Sequence, residues 1–137
     1  MPKYFAYYRW PLLCVATACS LSLWLFILLG QSKSFAEWNW VDILGEGGAT
    51  VFIGIWIFFI IKSRPLGRVT NYIFYGLCFI FFHMWMDSLD EFIRLPKEIM
   101  WDAWLESIPF PIGLCLFTIG IYFWHQEEQA ISKHMQK

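Results

Sequence analysis

The sequence predicts an all-α membrane protein built as a bundle of four transmembrane helices. Three observations carry that prediction. Hydrophobic residues make up 58% of the 137 residues and aromatic ones 21%, more apolar surface than a domain this small can hide from water. Residues 11–30, 47–61, 69–86 and 107–124 hold no Asp, Glu, Lys or Arg. Their interiors are runs of Leu, Ile, Phe and Trp, without the polar face of a soluble amphipathic helix. In lipid, backbone groups must be satisfied within a helix or a closed barrel, and the many short alternating strands of a barrel are not visible.

Helix 1 is expected at about residues 10–30. Its uncharged run is twenty residues, about 30 Å of helix, which matches the bilayer hydrocarbon. Lys3, Arg9 and the string Ala16-Thr17-Ala18-Cys19 have a leader-peptide flavour. The apolar run continues through residues 21–29, so a retained helix is expected. Helix 2 is expected at about 41–62, with Gly45, Gly47 and Gly48 permitting a bend or close packing. Helix 3 is expected at about 69–95. Helix 4, at about 106–124, opens on Pro109 and Pro111, where a missing amide costs least. Residues 1–124 thus form the bundle. Residues 125–137 are expected as a cytoplasmic connecting helix that continues helix 4 and is cut before an output domain. Trp124, Ile131 and Met135 recur there at 7 and 4 residues, a faint coiled-coil seed.

Charge sets orientation. Ten basic and eleven acidic residues leave a net charge of −1, which gives no basic surface for nucleic acid. Lys3 and Arg9 precede helix 1, and Lys62, Arg64 and Arg68 join helices 2 and 3, while the other two loops are acid-rich. The positive-inside rule then places both termini in the cytoplasm. Trp38, Trp40, Trp101 and Trp104 form an outer aromatic belt, with Trp10 and Trp124 at the inner one. Cys14, Cys19, Cys78 and Cys115 all lie in apolar segments and form no C-x-x-C, so they are expected as buried structural thiols.

The candidate site comes from charge at membrane depth. The uncharged part of helix 2 is only fifteen residues, about 22 Å, short of a hydrocarbon core of about 30 Å. Counted from the basic loop, Glu46 on helix 2 and His83 on helix 3 reach nearly the same depth. His83, Asp87 and Asp90 follow i, i+4, i+7 spacing and share a face, with Glu91 a little further round. Asp42 lies one turn outward from Glu46, and Asp102 and Glu106 repeat the i, i+4 spacing where helix 4 begins. Bundles that hold one or two divalent ions are built from such carboxylates and histidines on facing helices. Glu46, His83 and Asp87 are therefore expected as metal ligands, with Asp90 and Glu91 completing the shell. Membership of Asp42, Asp102 and Glu106 is left open. The oxygen and nitrogen donors suit zinc, iron or manganese. The competing explanation is a set of solvated acids, with His83 and Asp87 as a plain hydrogen-bonded pair.

No catalytic residue is expected. Three scattered histidines cannot supply the boxes of a di-iron hydroxylase, and no nucleophile arrangement or phosphate-cradling loop is present. His125 emerges at the opposite end from His83, which argues against a haem between them. The expected function is a non-enzymatic sensor binding a divalent metal in its outer half. The alternative is a receptor for a small apolar or quinone-like ligand among the aromatic-rich helices.

The string Phe82-His83-Met84-Trp85-Met86-Asp87-Ser88-Leu89-Asp90-Glu91 is the most distinctive part of the chain. The layout as a whole resembles the N-terminal membrane sensor regions of bacterial signalling proteins, notably diguanylate cyclases of the GGDEF type and histidine kinases. That resemblance implies a bacterial inner-membrane location, a homodimer and a cytoplasmic output domain, for which this chain carries no GGDEF or kinase motif.

Overall fold

A computed structural model describes residues 5–63, 66–96 and 107–135 of the chain. The described residues form four long helices: α1 (Phe5–Leu29), α2 (Trp40–Ser63), α3 (Arg68–Phe92) and α4 (Pro109–Met135). The all-α class follows from the apolar runs, which leave the backbone no other way to satisfy its hydrogen bonds in lipid. Three of the helices, α1 from Tyr7, α2 and α3, are long and apolar enough to cross a membrane. Helix α4 is of a different kind, because its apolar first half continues unbroken into the polar residues 125–135.

The helix ends differ in detail from the sequence expectation. Helix α1 starts at Phe5 and carries Pro11 in its interior, where the missing N–H removes one i→i−4 bond to Tyr7. Helix α3 stops at Phe92 because Ile93 turns extended, with φ −135° and ψ 117°. Residues Ile93–Arg94 then form a two-residue strand, β2, antiparallel to β1 (Gln31–Ser32), with Gln31 opposite Arg94 and Ser32 opposite Ile93. This short ladder ties the segment after α1 to the segment after α3. A 3-10 turn at Phe35–Glu37 leads from β1 towards α2.

Helix α3 is the central element, packed against α1, α2 and α4. Its side chains join both core clusters. One gathers Tyr8, Ile57, Ile61, Phe74, Leu77 and Cys78, and the other Phe26, Met86 and Leu89. The outward faces are strongly apolar. Trp24, Leu28, Phe52 and Phe58 are each about 60–70% exposed, a surface compatible with contact with a lipid bilayer.

Two packing expectations are corrected. Among the described residues, a β-carbon added at Gly45, Gly47 or Gly48 would meet nothing within 4 Å, so none of them forms the close packing expected there. It occurs between α3 and α4 instead. A β-carbon on Gly76 would sit 2.7 Å from the Phe117 backbone nitrogen, and one on Gly113 would sit 2.8 Å from the Gly76 carbonyl oxygen. Of the four thiols only Cys78 is buried; Cys19 is half-buried, and Cys14 and Cys115 are exposed. Trp101, Asp102, Trp104 and Glu106 lie outside the described residues, as do Lys3 and Arg64.

Candidate functional site

The first turns of α2 and the last turns of α3 bring the acids together. Asn39 starts α2: its side-chain oxygen accepts from the Val41 N–H at 3.3 Å, as an N-cap does. The Asn39 amide also donates to Asp42 Oδ2, so Asp42 is engaged at the helix start. One turn on, Glu46 lies within electrostatic reach of Asp87, Asp42, Glu91 and His83. Its Oε2 atom is buried and has no hydrogen-bond partner among the described residues. A carboxylate oxygen withdrawn from water without a partner is costly, which makes Glu46 the most informative group in the cluster.

On α3 the i, i+4 spacing does what helix geometry requires. His83 Nε2 lies 3.2 Å from Asp87 Oδ2, and both side chains are about 15% exposed. The His83 ring also packs on Phe110 in the first turn of α4, with centroids 4.9 Å apart. Glu91 joins the group electrostatically from the next turn.

Asp90 turns elsewhere. Lys33 Nζ lies 3.6 Å from Asp90 Oδ2, and the Lys33 backbone N–H donates to the Phe92 carbonyl at 2.9 Å. The β1–β2 ladder puts Lys33 there, beside the end of α3. Trp38 reinforces the arrangement. Its indole N–H donates to the Lys33 carbonyl at 3.3 Å, and its ring stands edge-on to Phe92 at 5.1 Å.

The structure thus pairs His83 with Asp87, leaves Glu46 within electrostatic reach of that pair, of Asp42 and of Glu91, and gives Asp90 to Lys33. Among the described residues no three His, Cys, Asp or Glu side chains already stand close enough to hold a metal ion. His125, on the polar half of α4, is exposed and pairs with Gln129 at 2.9 Å. Phe110 and Lys33 are the site neighbours that sequence reasoning missed. The i, i+4 rule could not find them, because both come from other elements. Set against known proteins, the chain matches no family model, no curated protein and no solved structure.

Proposed function

We propose that this chain is a four-span membrane sensor module that takes up a divalent metal ion at Glu46, His83, Asp87 and Glu91. The observation that carries the proposal is the buried Oε2 of Glu46, which has no hydrogen-bond partner among the described residues, in a side chain within electrostatic reach of the His83–Asp87 pair on the neighbouring helix. A divalent cation would supply the missing partner and offset the repulsion among the surrounding acids. The donor set, oxygen with one imidazole, suits zinc, iron or manganese. Uptake would need the side chains to rotate inward, so the ligand cage is one that closes on binding.

The route out of the site is the His83–Phe110 contact. A shift of the imidazole towards a metal would move the first turn of α4, and α4 continues without a break to Met135. In this proposal α4 is the fourth span, both termini lie on the basic-loop side by the positive-inside rule, and the membrane is a bacterial inner membrane. The layout resemblance to signalling sensor regions supports a homodimer coupled to a cytoplasmic output domain.

The test is metal analysis of the chain purified without chelator, beside Glu46→Gln and Asp90→Asn. Near-stoichiometric zinc, iron or manganese is expected in the native chain, with most of it lost in Glu46→Gln and retained in Asp90→Asn. Less than about a tenth of an equivalent in the native chain overturns the metal proposal.

A further inference from the structure

Along α1 and α3, from the start of α3 to the level of Phe82, two neighbouring cavities share Tyr75 in their walls. The first, about 620 Å³, opens at the start of α3 and is lined by Tyr7, Leu66, Arg68, Asn71 and Tyr72, a mostly apolar wall carrying one cation, one amide and phenol hydroxyls. The second, about 600 Å³, is an apolar trench that runs on past Cys14, Ala18 and Cys78 to Phe82 and Pro109. We infer that the two cavities together bind one phospholipid with an anionic headgroup, its phosphate at the Arg68 mouth and an acyl chain passing Tyr75 into the trench. The inference rests on the bilayer location of the helices and is independent of the metal proposal.

Charge selects the head. Arg68 lines the mouth, and among the described residues no Asp or Glu lines either cavity. Its guanidinium carbon lies 3.9 Å from the centre of the Phe123 ring, which holds the cation in place without neutralising it. Asn71 is held too, since its Oδ1 accepts from the Tyr8 hydroxyl at 2.9 Å. A guanidinium beside an amide and phenol hydroxyls offers the donors that a phosphate needs.

Length selects the tail. From Arg68 to Phe82 α3 rises about 21 Å, at about 1.5 Å per residue. That exceeds half of a hydrocarbon core of about 30 Å, so a single leaflet's acyl chain fits along it. A neutral ring ligand would occupy the trench and leave the cation unanswered. A free phosphate would do the reverse.

The full chain in detergent, titrated with phosphatidylglycerol, with phosphatidylcholine of the same acyl chains, or with inorganic phosphate, and read by native mass spectrometry, decides the matter. One phosphatidylglycerol is expected to stay bound, about tenfold more tightly than phosphatidylcholine, with no adduct from inorganic phosphate. Arg68→Gln should erase that preference, Arg68→Lys should keep part of it, and Lys62→Gln, outside the groove, should leave it unchanged. Ala18→Phe fills the trench from α1 without touching Arg68 or Phe123, and should weaken binding of both lipids. Equal retention of the two lipids by the native chain, or equal loss in Arg68→Gln and Lys62→Gln, overturns the site. Phosphate binding as tight as that of phosphatidylglycerol, or Ala18→Phe without effect on a folded chain, overturns the lipid and leaves a bare anion site.

Discussion

Helix α3 meets α4 and α1 in opposite ways. Against α4 it is closed, with backbone on backbone where Gly76, Gly113 and Gly120 remove the side chains that would hold the helices apart. Against α1 it is pinned by hydrogen bonds at two points, with Leu12 and Val15 packed on the core cluster and a groove open beside them. Tyr8 donates to Asn71 near one end, and the Trp85 indole donates to Ser22 at 3.2 Å towards the other. Between these pins lies the groove of about 600 Å³. Lipid gives no hydrophobic drive for helices to associate, so contact must come from small residues that allow close approach or from hydrogen bonds between helices. The two seams use one device each.

The largest effect should come from breaking the closed seam. Gly113→Leu forces a side chain into a space where even a β-carbon stands 2.7 Å from Ile80 and 2.8 Å from the Gly76 carbonyl oxygen. Thermal unfolding should show a loss of about 3 kcal/mol, the cost of overpacking a tight contact. The counterpart in the grooved seam is Cys14→Leu, which adds bulk where the groove has room and should change stability by no more than about 0.5 kcal/mol. Similar losses from the two substitutions would show that the seams are not different in kind. Gly47→Ala provides a baseline within an open helix face and should be neutral or stabilising by about 0.5 kcal/mol, from helix propensity alone.

The hydrogen-bond pins should matter less. Ser22→Ala removes the acceptor of the Trp85 indole, and the part-buried N–H then loses its partner. A cost of about 1 kcal/mol is expected, in the range measured for hydrogen bonds between membrane helices. Trp85→Phe in the same background should add little on that account, so a double-mutant cycle isolates the bond. A coupling near zero would mean that the α1–α3 seam is held by packing around Phe26 and Met86 instead.

Much of the fold was legible because lipid-facing helices are written as uninterrupted apolar runs. The i, i+4 pairing of His83 with Asp87 was legible for a similar reason, since it depends on one helix's own geometry. The closed seam carried a signal that went unread. Gly113 and Gly120 stand seven residues apart in an apolar helix, and small residues at that spacing line one face. The glycines beside Glu46 stand out by their density, yet none of the described residues packs against them. The assignment of Asp90 to Lys33 had no local signal at all. It depends on a two-residue ladder between segments sixty residues apart in the chain, too short to show any period.

The smallest expected effect tests that ladder's surroundings, where neither seam device operates. Glu37 closes the 3-10 turn that follows β1, accepting from the Ser34 backbone N–H at 2.8 Å and the Ser34 hydroxyl at 3.1 Å. The Ser34 amide donation, ahead of its hydroxyl, holds the Glu37 carboxyl below its usual range, with a smaller pull from Arg94 and Lys33. The sign follows from linkage. A carboxyl whose folded pKa is depressed contributes stability above its unfolded pKa, and that contribution is lost as pH falls through the folded value. Because Glu37 is exposed, the loss should stay local. Exchange of the Ser34 amide should therefore quicken relative to its intrinsic rate as the medium is taken below the ordinary carboxylate range, while the Asn71 amide, bonded to Gly67 at the opposite end of α3, keeps its protection. Glu37→Gln should remove the pH dependence and leave the Ser34 amide weakly protected throughout. If the Ser34 amide instead loses protection together with Asn71, the turn is not an independent unit, and the acid end of the molecule opens with the bundle.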